Sequence, residues 1–437
     1  MVVDKILTKQ AKKERWAWYL YDFGNSAYAG VVLLAVYSAY FKGQVVGGAR
    51  GSWLWGLSIG IAMLTVALIS PILGTIADFS GSKKKLLFIF TSLNIVFTAL
   101  LFFVEAGDVF IGMLFFILAE IGYRSGQVFY NSLLPEISTQ EDMDKVSGNG
   151  WAIGSAGGVI CLLIVLALIT TIGGTLIVRF SLVFTAIFYA ISTIPMWIWL
   201  KEKAKGEVLP AGENYLGIGY KRLRETVKSV RQYKEFLKFI LAFLVYNDGV
   251  LMMLNFAAII GAVLFGMDQT QLIIMMLIVQ VTSVAGAYIF GLIADRSYSK
   301  NALIFSLGLM LVCVVLLIVV QNLTQFYILA GVAGFALTGV QSVSRSVVGQ
   351  LAPSGRSGEF YGLFAVAGRT SSFIGPTIYG YLAAWAAGWY VSQGQATLLA
   401  EQNGQRLAVV SIGVFLVVGL VLLLRVKIPR YNKNKEI

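Results

Sequence analysis

Long apolar runs separated by short polar stretches dominate the pattern of this chain. A bilayer core of roughly 30 Å takes about 20 apolar residues of helix. On that ruler the pattern predicts twelve spans, at about 16–43, 52–79, 85–105, 109–134, 146–173, 176–200, 236–265, 270–295, 301–321, 325–351, 359–390 and 405–426. The one long polar interval, 201–235, separates six spans from six. The expected fold is an all-α integral membrane protein with 12 transmembrane helices in two six-helix pseudo-symmetric bundles. The bundles would occupy 1–200 and 236–437, with 201–235 as a cytoplasmic linker.

Within that linker Leu216, Tyr220, Leu223, Val227, Val230, Phe236 and Leu237 recur at helical spacing. Lys221, Arg222, Arg224, Lys228, Arg231 and Lys234 fill the gaps. The pattern suits a basic amphipathic helix on an anionic inner leaflet, and equally a solvated linker helix.

The runs also repeat. Gly74-Thr75-Ile76-Ala77-Asp78-Phe79-Ser80-Gly81-Ser82-Lys83-Lys84-Lys85 closes the second span, and Gly291-Leu292-Ile293-Ala294-Asp295-Arg296-Ser297 closes the eighth. Leu133-Leu134-Pro135 is matched by Leu351-Ala352-Pro353, and Gly148 and Gly154 by Gly362 and Gly368. Such internal duplication, with sites near the repeat interface, is how many secondary transporters are built.

Composition agrees. Hydrophobic residues make up 58% of the 437 residues and charged residues 13%, against about 25% charged in an ordinary soluble domain. The 46 glycines suit membrane helices that approach closely. The first fifteen residues are polar and basic, so no cleavable signal peptide is expected.

The net charge of +12 first suggests nucleic acid. With both termini inside, however, 27 of the 34 Lys and Arg residues fall on the inner side. Four (Lys42, Arg50, Arg179 and Arg406) fall outside, and Arg124, Arg345 and Arg369 lie within spans. Loop Lys and Arg mark the cytoplasmic face, so the charge reads as a topology signal and no nucleic-acid partner is expected. Trp16, Trp18, Trp53 and Trp55 fall where an aromatic belt belongs. The expected location is a bacterial cytoplasmic membrane, crossed many times, with both termini cytoplasmic.

Enzyme chemistry finds no footing. There is no histidine, and Cys161 and Cys313 sit in separate apolar runs. No Gly-Lys dipeptide occurs, so a phosphate-binding loop of the P-loop type is excluded. No catalytic residue, metal or cofactor is expected.

Taken together, the twelve spans and the repeated loop motif resemble the major facilitator superfamily. The first copy fits its Gly-x-x-x-Asp-x-x-Gly-basic-basic pattern at Gly74, Asp78, Gly81, Lys83 and Lys84, departing at Phe79 and Ser82. The second keeps Gly291, Asp295 and Arg296 but lacks the later glycine. Tyr21-Asp22-Phe23-Gly24-Asn25-Ser26-Ala27-Tyr28, Phe129 through Ile137, Tyr246-Asn247-Asp248-Gly249, Ser344-Arg345-Ser346 and Glu359 through Phe364 narrow the match. They resemble the branch once called the unknown major facilitator family, which includes the yeast vacuolar amino-acid effluxer of autophagy. The resemblance implies the major facilitator fold, secondary transport by alternating access, and spans one, four, seven and ten lining a central cavity. In the vacuolar relative it implies efflux of neutral amino acids. A monomer in contact with membrane lipids is expected.

Ionisable residues inside a bilayer are costly and often mark a pathway. Asp22, Glu120, Asp248, Arg124, Arg345 and Arg369 stand within predicted spans. Glu120, Arg124, Gln127 and Asn131 follow i, i+4, i+7, i+11 and draw one polar stripe down span four. Span ten repeats the idea with Thr338, Gln341 and Arg345. Span seven places Asp248 and Asn255 seven apart, and span one groups Asp22, Asn25 and Ser26. Two arrangements satisfy these charges. They pair among themselves, as Glu120 and Arg124 can along one helix, or they bind a small solute carrying both signs and a coupling proton. Burial favours the protonated form of an acid and a nearby arginine opposes it, which points to Asp22 or Asp248 as proton carrier.

The loop motif has two readings as well. It marks topology, or Asp78 and Asp295 hold the start of a neighbouring helix and gate the cytoplasmic side. The leading expectation is a secondary active transporter of a small polar or zwitterionic solute, an amino acid among the candidates, driven by proton coupling or exchange. Lipid or lysolipid transport and a non-transporting membrane sensor on the same fold are the alternatives.

Overall fold

A computed structural model describes residues 2–46, 48–203, 206–207, 214–215, 217–218, 220–221, 224–225, 232–267 and 269–428. The elements of the described residues are all helices joined by short turns, with no strand. Twelve long helices follow the predicted runs. They are α1 (Val2–Tyr28), α2 (Gly48–Ser80), α3 (Lys83–Leu100), α4 (Val109–Ser132), α5 (Met143–Ile172) and α6 (Thr175–Trp199), then α7 (Lys234–Phe265), α8 (Gln269–Arg296), α9 (Ser299–Val319), α10 (Leu323–Leu351), α11 (Ser357–Ser392) and α12 (Thr397–Leu424). Beyond α1 the first span continues through π-helical turns at Ala29–Ala35 and Phe41–Val46. By length and apolarity 11 of the spans could cross a bilayer among the described residues. The remaining helix, α11, has 36 residues and stands where span eleven was predicted. The basic amphipathic helix expected across 216–237 lies largely outside the described residues.

Two compact units result. The first comprises Met1–Val227 and Ala352–Val366, the second Lys228–Leu351 and Ala367–Ile437. Helix α11 therefore belongs to the first unit over its opening turns and to the second thereafter. Helix pairing repeats between the units. In the first, α1 packs on α6, α2 on α4, α3 on α4 and α3 on α6. In the second, α7 packs on α12, α8 on α10, α9 on α10 and α9 on α12.

Lipid tails are as apolar as leucine, so close packing rather than the hydrophobic effect holds membrane helices together. Glycines supply the approach. A Cβ on Gly122 of α4 would lie 2.7 Å from the Asn94 nitrogen of α3. One on Gly286 of α8 would lie 2.2 Å from the Phe335 carbonyl oxygen of α10. Aromatic residues fill the first unit at two levels. Tyr37, Phe41, Trp55 and Phe116 form one cluster, while Trp18, Tyr21, Tyr130 and Tyr189 form the other. Exposed apolar side chains such as Leu64, Leu68, Ile198 and Val319 are left for lipid.

The tryptophans correct the aromatic-belt expectation. Trp16 is exposed, but Trp18 and Trp55 are core residues. Trp18 stacks on Tyr130 at 4.3 Å between ring centroids and donates its indole N–H to the Tyr130 carbonyl at 2.9 Å. The side chain of Trp53 lies outside those described. A tryptophan near a helix end satisfies the belt rule and a polar core contact equally well, and helix rotation decides between them.

Gly286→Ala should destabilise the protein by about 1–3 kcal/mol, because a methyl group there meets a backbone carbonyl rather than a movable side chain. Thermal unfolding in detergent, compared with Gly308→Ala where the space is open, checks this.

Candidate functional site

Helix α4 carries the stripe that the i, i+4, i+7, i+11 spacing predicted. Glu120 is fully buried, whereas Arg124, Gln127 and Asn131 are half-buried along one face. The Arg124 Nε donates to Glu120 Oε1 at 2.6 Å, and the Tyr28 hydroxyl donates to Glu120 Oε2 at 3.1 Å. The guanidinium lies over the Tyr123 ring, 5.0 Å from its centroid. Among the described residues the two Arg124 Nη groups and the side-chain amides of Gln127 and Asn131 make no hydrogen bond to protein.

Asp22 and Asn25 sit one turn apart on α1 but meet different neighbours. A Cβ on Gly154 of α5 would lie 2.6 Å from Asp22 Oδ2, so the carboxylate rests on the α5 backbone at a glycine. Asn25 Oδ1 lies 2.9 Å from the Tyr189 hydroxyl of α6. That hydroxyl is also 2.9 Å from the Tyr21 hydroxyl, which in turn is 2.7 Å from Thr91 Oγ1 of α3. This buried network ties α1, α3 and α6 together. Sequence reasoning found Asn25 but not Thr91 or Tyr189, which lack any periodic signal.

In the second unit, three consecutive α7 residues reach different partners. The Tyr246 hydroxyl is 2.7 Å from Ser344 Oγ of α10, and Asn247 Oδ1 accepts from Gln341 Nε2 at 3.1 Å. Asp248 Oδ1 accepts the Gly375 N–H of α11 at 2.7 Å. Its Oδ2 is buried and has no hydrogen-bond partner among the described residues. The glycine that meets the acid is thus Gly375, while a Cβ on the offset-matched Gly368 would lie 3.8 Å from the Phe243 ring. Arg345 is buried on α10, Arg369 is half-buried on α11, and Asn255 of α7 is exposed.

The loop motif forms a dense polar cluster in the first unit. Asp78, at the end of α2, accepts the Gly358 and Glu359 N–H groups of α11 at 3.0 and 2.8 Å. Those are first-turn donors with no partner inside their own helix, at the end of the dipole that favours an anion. Gly74 allows the approach, since a Cβ there would lie 2.2 Å from the Gly358 carbonyl oxygen. Lys83 is buried and pairs with Asp78 at 3.1 Å and Glu136 at 2.8 Å. Its Nζ also donates to Ser357 Oγ at 2.8 Å. Gly81 takes a positive φ of 58° in the turn between α2 and α3. In the second copy, Gly291 is buried, Asp295 half-buried and Arg296 exposed at the end of α8.

The start of the linker docks on this same turn. Glu202 accepts the Lys83 and Lys84 N–H groups at 2.5 and 3.2 Å, capping α3. Lys84 Nζ donates to the Trp197 and Leu200 carbonyls at 2.8 and 2.6 Å, and the Glu207 N–H to the Phe79 carbonyl at 2.7 Å. Burial pushes the Glu202 carboxyl above the ordinary glutamate value of 4.5, with the two α3 N–H groups pulling it back only in part. Nothing in the sequence marked Glu202, because its role comes from a contact 119 residues away.

The family model described as vacuole effluxer Atg22 like matches residues 55–436. The MFS-type transporter YxiO of Bacillus subtilis is 30% identical over 383 residues, spanning 85% of this chain and 89% of the relative. Autophagy-related protein 22 of Yarrowia lipolytica is 26% identical over 292 residues, spanning 60% of this chain and 49% of that protein. Among solved structures, a bacterial homologue of the iron transporter ferroportin covers 95% of this chain and 98% of its own at a TM-score of 0.70 and 14% identity. The proton:xylose symporter XylE covers 97% and 96% at 0.65 and 12%. The chain belongs to the vacuole effluxer Atg22-like family of major facilitator transporters. It is a multi-pass membrane transporter with the twelve-helix fold, and not an enzyme.

Two outcomes follow from the polar cluster. Lys83→Met leaves Asp78 and Glu136 buried without their cation and should cost about 3–5 kcal/mol, read by thermal unfolding in detergent. Because the Glu202 value is raised, docking of the linker start is strongest below pH 4.5 and weakens as pH rises through the raised value. Hydrogen exchange at the Glu207 amide, corrected for intrinsic rates, should show that trend, and Glu202→Gln should flatten it.

Proposed function

We propose that this family member is a secondary active transporter that moves a small zwitterionic solute, an amino acid, by alternating access. The observation that carries the reading is the α4 face. The two Arg124 Nη groups and the side-chain amides of Gln127 and Asn131 stand inside a membrane span, on half-buried residues and without hydrogen bonds to protein among the described residues. Unsatisfied polar groups are costly in hydrocarbon, so they belong where water or solute reaches them. The efflux named in the description of the family model supports transport as the activity.

Proton coupling is assigned to Asp248. One carboxylate oxygen holds the Gly375 N–H and the other is buried with no partner among the described residues. A proton on that second oxygen would remove a charge from an apolar setting without disturbing the first bond. Asp22, resting on Gly154, occupies the related place in the first unit and is the second candidate.

The turn between α2 and α3 is assigned a gating role. Asp78 holds the first turn of α11, so release of those two N–H bonds would free the helix start. The excess of basic residues in the assigned inner loops supports cytoplasmic termini, as in a bacterial inner membrane.

A thermal-shift screen against amino acids, peptides, sugars and lysolipids, followed by uptake into proteoliposomes, tests the reading. Amino acids are expected to stabilise the protein and to accumulate under a pH gradient. Stabilisation by lysolipids alone would overturn it. Asp248→Asn should abolish accumulation driven by the pH gradient while sparing counterflow exchange. Unchanged pH dependence in that variant would remove Asp248 from the coupling role.

A further inference from the structure

We infer that Arg124 and Gln127 recognise the two charged groups of the solute. The Nη edge of Arg124 takes a carboxylate, and the Gln127 side-chain oxygen takes the ammonium group beside it. This rests on the transport reading above and names the chemistry of its cargo.

Glu120 and Tyr28 fix the arginine. The only hydrogen bond that Arg124 makes to the described residues runs from Nε to Glu120, whose other oxygen is held by the Tyr28 hydroxyl. Anchoring through Nε leaves the outer edge, with its two Nη groups, free of partners among the described residues. That edge presents two parallel N–H donors, the geometry that grips a carboxylate in a bidentate manner. The Tyr123 ring under the guanidinium further limits its motion. Glu120 is fully buried and Arg124 is 21% exposed at the side chain. The carboxylate of the pair is therefore a positioning group, and the arginine is the one that reaches solute.

Charge decides the class of solute. Glu120 already neutralises Arg124, so a simple anion would bring uncompensated negative charge into the membrane. A zwitterion brings none. Gln127 lies one turn further along the same face, about 4.5 Å along the axis, and its amide has no protein hydrogen bond among the described residues. The spacing suits two charged groups borne by one carbon, as in an α-amino acid. A peptide, with its charges several bonds further apart, would have to reach past Gln127 toward Asn131.

The test uses the full-length protein. Phenylglyoxal, which derivatises accessible guanidinium groups, is applied with and without L-alanine, L-leucine, their carboxamides and propionate. Modification at Arg124 is read by peptide mass spectrometry, alongside uptake in proteoliposomes. The free amino acids should slow modification of Arg124 about tenfold or more, the worth of a charge-assisted bidentate contact. Propionate should protect less and the carboxamides not at all. Gln127→Leu should raise the half-saturating amino-acid concentration about tenfold with the maximal rate kept. Tyr28→Phe should raise the same concentration and narrow the preference for free acid over carboxamide. A purely structural tyrosine would not move that preference. Amino-acid uptake with Arg124 left unprotected, or carboxamides moved as well as free acids, overturns this assignment and leaves the transport reading standing. Protection of Arg124 without uptake under any gradient overturns the transport reading and supports the recognition site.

Discussion

A bilayer supplies no hydrogen-bond partners, and that constraint sorts the polar side chains of this protein. Those that meet within the chain hold helices together. Asp78 takes two helix-start N–H groups and a lysine, and Asn25 joins a hydroxyl network across three helices. On the half-buried face of α4, the Arg124 Nη groups and the Gln127 and Asn131 amides have no such partner among the described residues. In water the difference would mean little. In hydrocarbon each unsatisfied group costs several kcal/mol, so these groups belong where water or solute reaches them.

The same constraint explains why acids and glycines occur together. A carboxylate on α1 or α7 that must be satisfied away from water can use backbone of the adjacent helix only if nothing stands between. Gly375 gives its N–H to Asp248 in this way, and Gly154 leaves the room in which Asp22 lies against α5. Gly74 does so for the approach between α2 and α11. Each pairing is a requirement for absence of a Cβ rather than for backbone flexibility, since these glycines are helical. Helix packing and site geometry are therefore one problem here, solved by the same residues.

The two copies of the loop motif have diverged in physical environment. In the first unit the α2–α3 turn is fastened by α11 through Asp78, by Glu136 through Lys83, and by the linker start through Glu202. The turn and the linker start share residues: the Lys83 and Lys84 N–H groups cap onto Glu202, while the side chains of the same two lysines reach Asp78, Glu136 and the Trp197 and Leu200 carbonyls. In the second unit the corresponding end of α8 leaves Arg296 exposed.

The sequence by itself determined the helices, their number and the two-fold repeat, because hydrophobic length and spacing are local properties of the chain. It also determined the polar stripe on α4, since i, i+4, i+7 periodicity survives whatever the helix packs against. Tertiary structure alone decided which polar groups are satisfied. Asn25 and Gln127 look alike as lone amides in apolar helices, yet one is bonded to Tyr189 and the other has no protein partner among the described residues. It decided that Trp18 is core rather than belt, that Gly375 rather than Gly368 meets Asp248, and that Glu202 caps α3. Each depends on the rotation of one helix against another distant in sequence, and a periodic pattern places a residue on a face without saying what that face meets.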